Sequence, residues 1–137
     1  MSSPLSTLLA LVLVVAGCGR SEESLEAARV ARAIDVVRDA PNDPVDGRKQ
    51  LLDKLEAEPA KGALAIAARD ACVKAYRPFV EGQQLEARVR AQLAGPPEQI
   101  DAGVLVELAS AETKLNEAKA AMPDCDRALH DLKHAFR

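Results

Sequence analysis

Apolar residues along this chain recur at intervals of three and four, the period of helices that bury one face. From Ser24 to Ala40 the stripe is Ala27, Val30, Ala31, Ile34 and Val37. Ser21, Glu22 and Glu23 precede it and suit a helix N-terminus, where the dipole favours negative charge. Pro41-Asn42-Asp43-Pro44 ends this helix and opens the next, with Asp43 expected to cap and Pro44 to take the first helical position. The second helix covers about Val45 to Ala57 and carries Val45, Leu51, Leu52 and Leu55. Glu58-Pro59 closes it, because the residue before a proline avoids helical geometry.

The third predicted helix spans about Ala60 to Leu93. Its first half is apolar on two faces, Leu64, Ala68, Ala71 and Ala75 on one, Ile66, Val73 and Tyr76 on the other. Pro78 is expected to kink or break it, since proline cannot donate to the Lys74 carbonyl. Gly82 weakens the same stretch, and beyond it one stripe remains: Leu85, Val89 and Leu93. Gly95-Pro96-Pro97 reads as a turn. A fourth helix, about Glu98 to Ala121, follows with a seam of Ile100, Val104, Leu108, Ala111, Leu115, Ala118 and Met122, and folds back on the third as a hairpin. Pro123 is expected to start a last helix with the stripe Cys125, Leu129, Leu132 and Phe136. No window alternates in the manner of a strand. The fold class is therefore all-α, an antiparallel bundle of four to five helices over residues 24–137.

The first 17 residues stand apart. They carry no charged side chain, and Leu5 to Ala16 is apolar except for Ser6 and Thr7. A run of this length fits the core of a signal peptide and falls short of the ~20 residues that cross a bilayer. Val15-Ala16-Gly17-Cys18 closes the run with small residues and a cysteine. It resembles the lipobox of bacterial lipoproteins. The resemblance covers residues 1–18 only. It implies that residues 1–17 are a cleaved signal peptide, that Cys18 is lipidated, and that residues 18–23 form a short tether. It also implies that acyl chains hold the protein on the periplasmic side of a bacterial membrane. Two or more chains anchor stably where one does not. Gly19 rather than Asp after Cys18 favours the outer membrane by the same resemblance.

Composition narrows the function classes. The chain has 18 basic and 21 acidic residues, a net charge of −3, and residues 1–17 contribute none of it. Mixed, mildly acidic charge argues against a nucleic-acid partner. Aromatic content is 2%, with Tyr76, Phe79 and Phe136 alone, which argues against an aromatic-lined ligand pocket. Abundant alanine favours slim, closely packed helices.

With Cys18 assigned to lipid, Cys72 and Cys125 remain. An even remainder in an oxidising compartment reads as one disulfide, with two separate buried thiols as the alternative. Folding the chain back at Gly95 sets the region around residue 119 beside Cys72, and a swing at Pro123 would bring Cys125, a turn or two further on, inward to it.

One cluster could carry chemistry. His130 and His134 are four apart and share a helical face, with Asp126 and Asp131 nearby, so they form a candidate divalent-metal pair. The plainer reading is solvated histidines that complement a helix C-terminus. No catalytic residues are predicted. No Gly-x-Ser-x-Gly or glycine-rich phosphate loop occurs, and Glu107, Glu112 and Glu117 fall five apart around their helix. No cofactor is expected. The functional expectation is a non-enzymatic, membrane-anchored interaction or structural protein of the envelope, with an envelope protein as partner. The alternative is a periplasmic metal-binding or metal-sensing protein using His130 and His134.

Overall fold

A computed structural model describes residues 20–137; Cys18 and the apolar segment before it lie outside the described residues. The described residues form four α-helices: α1 (Glu22–Asp39), α2 (Val45–Glu56), α3 (Ala63–Leu93) and α4 (Gly103–Ala135), with a 3-10 turn at Pro97–Gln99. Among the described residues no helix is long and apolar enough to cross a membrane.

Local chemistry explains most boundaries. The Ser21 hydroxyl accepts the Ser24 amide at 3.2 Å, so α1 begins at Glu22, two residues before the expected start, with Glu22 and Glu23 in its first turn. The start of α3 has no cap from its own sequence. Glu26 of α1 supplies one: its carboxylate accepts the amides of Gly62 at 2.8 Å and Lys61 at 3.0 Å. Asp43 does not cap α2; Pro44 occupies that position without a side-chain bond.

The two long helices also correct the expected breaks. α3 runs unbroken through Pro78 and α4 through Pro123. Each proline leaves a carbonyl four residues back without its amide. Those residues are Lys74 and Lys119, both exposed, so water can serve the orphaned carbonyls. Buried neighbours on either side, Ala75 and Val80 in α3, Ala118 and Cys125 in α4, hold each helix in line. No separate last helix exists, and Glu98 to Ala102 belongs to the turn region.

Ion pairs and hydrogen bonds between helices fix the directions. Glu26 meets the start of α3. Lys133 reaches Asp35 at 2.8 Å, and Arg38 reaches Asp126 at 2.6 Å, so α1 runs against α4. Arg77 of α3 meets Asp53 of α2 at 2.9 Å, and Gln84 meets Asp46 at 3.4 Å, so α2 runs against α3. The topology is up-down-up-down. The shared core consists of Val30, Ile34 and Val37 of α1, Leu52 and Leu55 of α2, Ala68, Cys72, Ala75 and Val80 of α3, and Cys125, Leu129 and Leu132 of α4.

The predicted stripe of α1 is its buried set residue for residue. In α3 the predicted stripe holds at Ala68 and Ala75 and departs at Leu64 and Ala71. Ala65, Ala68, Cys72 and Ala75 face inward, and Leu64 faces water.

Candidate functional site

The α3–α4 hairpin outlasts the rest of the bundle. α3 has 31 residues and α4 has 33, against 18 and 12 for α1 and α2. At 1.5 Å per residue α3 is about 46 Å long. The Asp46–Gln84 contact marks where α2 begins, and past it α3 and α4 project as a two-helix arm.

Small residues at strict heptad spacing build its seam. On α3 these are Ala68, Ala75, Gly82 and Val89; on α4 they are Val104, Ala111, Ala118, Cys125 and Leu132, all buried. A seven-residue repeat keeps one seam facing its partner along a left-handed supercoil. Small side chains bring the backbones close. A Cβ on Gly82 would lie 2.9 Å from Leu115 and 3.3 Å from the Ala111 carbonyl oxygen. Cys72 and Cys125 lie opposite each other, with Cα atoms 4.5 Å apart and sulfurs 1.98 Å apart, at disulfide distance. The hairpin is symmetric about Pro97–Gln99: Cys72 faces Cys125, Gly82 faces Leu115, and Arg88 faces Glu107 at 3.7 Å. The turn is thus centred a few residues past Gly95, and Cys125 reaches Cys72 without any break at Pro123.

A second heptad row on α4 contains Leu108, Leu115, Met122, Leu129 and Phe136. Its burial follows what covers it. Leu129 is buried where α1 lies alongside, and Leu115 and Met122 are partly covered. Leu108 is 48% exposed, because α1 and α2 do not extend that far. Leu105 and Val106 are 70% and 68% exposed, and Leu93 55%. The predicted seam therefore needs correction: Ile100 and Leu108 point outward, while Val104 and Ala111 point in. Five of the eight exposed large apolar residues among the described residues, Leu93, Ile100, Leu105, Val106 and Leu108, lie at this tip. Clustering of this kind marks interaction surfaces, whereas single exposed leucines do not.

The tip lies at the far end from the start of α1. Glu23, Glu26, Gly62, Leu64 and Phe136 line one small cleft. The starts of α1 and α3 and the end of α4 therefore share the opposite pole.

His130 and His134 sit near that pole. Both are exposed, with ring centroids 4.5 Å apart and planes tilted by 46°. Asp126 is engaged by Arg38. Among the described residues no three His, Cys, Asp or Glu side chains group as a metal site. A groove of about 690 Å³ runs between α2, α3 and α4 over Val73, Pro78 and Ala121. Most of its facing charges are paired, Arg77 with Asp53 and Glu56, and Lys114 with Glu81 and Glu117, while Lys74 makes no ion pair among the described residues.

Arg48 is the residue that sequence reasoning missed. It is the one buried charged side chain among the described residues. Its guanidinium donates to the carbonyls of Val37 at 3.2 Å and Ala40, and to Asn42 Oδ1 at 2.7 Å and Gln83 Oε1 at 3.3 Å. It also lies 5.2 Å from the Phe79 ring centroid. It closes the C-terminus of α1 and ties the α1–α2 connection to α3. The signal was in the stripe: Val45, Arg48, Leu52 and Leu55 share one face, and a cation fills one of its slots.

No family model matches the chain, and no curated protein or solved structure does either.

Proposed function

We propose that the protein is a membrane-anchored, non-enzymatic interaction protein of the bacterial envelope, working through the tip of the α3–α4 hairpin. The observation that carries this reading is the apolar cluster Leu93, Ile100, Leu105, Val106 and Leu108 at the pole remote from α1. The anchor is Cys18, from the resemblance of Val15-Ala16-Gly17-Cys18 to a lipobox. Only Gly19, Arg20 and Ser21 stand between Cys18 and the first residue of α1, about 10 Å when extended. The α1 pole is thus held at the bilayer surface and the tip is displayed away from it. Outer-membrane placement follows from Gly19 by the same resemblance. Fractionation of the full chain tests the anchor. The native chain belongs with membranes, and Cys18→Ala releases it or leaves it unprocessed. Equal membrane association of both forms contradicts the reading.

A second reading is favoured by one observation, the 4.5 Å approach of the His130 and His134 rings. Two imidazoles one turn apart can chelate Zn²⁺, Ni²⁺ or Cu²⁺. Calorimetry with each ion on the full chain decides it. Binding lost in a His130→Ala, His134→Ala variant supports a metal role, and unchanged binding removes it.

A further inference from the structure

We infer that the hairpin tip is a self-pairing surface, whose occupant is the tip of a second copy of this chain. The inference rests on the anchored reading above and names the partner of its interaction surface.

Three observations converge on a second copy. The first is the interrupted row on α4. Where the row passes Leu129, helix α1 covers it; at Leu108 the same row continues with nothing over it. The uncovered end has the chemistry that already accepts a helix lower down. A second tip offers two helices bearing the same apolar side chains.

The second observation is the rim. Arg90 makes no ion pair among the described residues, nor do Glu98 and Glu112. Glu112 continues the exposed face of Leu105 and Leu108, and Arg90 stands on the neighbouring helix. A two-fold axis makes an interface of one patch on both copies, so a self-pairing rim needs both signs. A strongly acidic or strongly basic partner would call for a rim of one sign.

The third observation is size and placement. Leu105 and Leu108 share one face of α4, with Leu93 at the end of α3 beside the same turn; so few side chains cover at most roughly a few hundred Å², and two such patches fall at or below the ~1,200 Å² where stable interfaces begin. Such a pair is weak in free solution. Anchoring changes that. The start of α1 and the tip lie at opposite poles, so copies anchored just before α1 in one bilayer hold their tips at a similar height. Confinement then raises the effective concentration of tip for tip.

The test uses the full-length chain, co-expressed as two differently tagged copies in a bacterial host. A photo-crosslinking amino acid replaces exposed Ala109, beside Leu105 and Leu108, or, as a control, exposed Arg32 on α1. Self-pairing predicts an adduct carrying both tags from position 109 and not from position 32. A Leu105→Asp, Leu108→Asp variant should lower its yield about tenfold or more, with the thermal midpoint unchanged because neither side chain is in the core. An adduct with another protein only, no adduct, equal adducts from both positions, or a yield indifferent to the aspartates overturns self-pairing. Membrane fractionation of Cys18→Ala is read in parallel. Failure of the anchor appears there as unchanged partitioning, while failure of pairing appears only in the adduct.

Discussion

The Arg48 guanidinium carries a charge into the bundle and meets acceptors from α1, the α1–α2 connection and α3. A buried cation is tolerated when its donors are satisfied, and here they also satisfy the last carbonyls of α1. Arg48→Met keeps the apolar stem and leaves the Val37 and Ala40 carbonyls without donors. It should lower the unfolding free energy by about 2–4 kcal/mol. Urea unfolding measures this, with Arg48→Lys losing less. A cost within about 0.5 kcal/mol, typical of a surface site, would contradict the role given to Arg48. Gly82 is a second residue-scale case. Alanine is the better helix former by about 1 kcal/mol, yet its Cβ would press on Leu115 and approach the Ala111 carbonyl. Overpacking costs about 1–3 kcal/mol, so Gly82→Ala should be neutral to destabilising. A gain near 1 kcal/mol would show that α3 and α4 are farther apart there. Within α3 alone Gly82 reads as a weak point in a helix. Its actual role, close approach, depends on α4 and is invisible from α3 alone.

At the scale of elements, the helices that touch water on one face were legible. The stripe of α1 is its buried face because a short amphipathic helix has one way to pack. The long helices were less so. Pro78 and Pro123 read as breaks because local chemistry says so, but seam residues on both sides hold the helices straight. Ala68, Ala75, Ala111 and Ala118 were legible as apolar-stripe positions and are buried. Their strict heptad, completed by Gly82, was hidden, because leucine positions dominate a hydrophobicity count. Such a seam buries little apolar area, so the crosslink matters. The Cys72–Cys125 pair spans 53 residues, and closing that loop restricts the unfolded chain by about 4 kcal/mol. A Cys72→Ser, Cys125→Ser variant should unfold at lower urea with a steeper dependence, since the uncrosslinked unfolded chain exposes more surface. An unchanged midpoint, and equal mobility of the native chain with and without reductant, would contradict the bond.

For the whole molecule, acid should loosen the pole where α1 meets α3. The Gly62 and Lys61 amides, bonded to Glu26, hold its carboxyl below the usual carboxylate range. Lys49 and Arg77 do the same for Asp53. A carboxyl lowered on folding adds stability above its unfolded value, and that stability is lost as pH falls through the folded value. Stability should thus decline below about pH 4.3, the ordinary Glu value. Glu26→Gln should be less stable at neutral pH and lose less on acidification. Parallel pH profiles for the two proteins would contradict the cap.

The same whole-molecule view gives the chain an apolar pole at the hairpin tip, opposite the α1 pole where the proposed anchor would attach. The proposed anchor rests on Val15 to Cys18 of the sequence. The apolar pole was not legible there, because nothing in the sequence of α4 says where α1 and α2 stop. The anchor carries the account. Intact-mass spectrometry of the full-length protein, extracted from membranes of a bacterial host, tests it most directly. The account predicts a chain that begins at Cys18 and bears a diacylglyceryl thioether with an acylated amine. A chain that keeps the residues before Cys18, with an unmodified thiol, would contradict it.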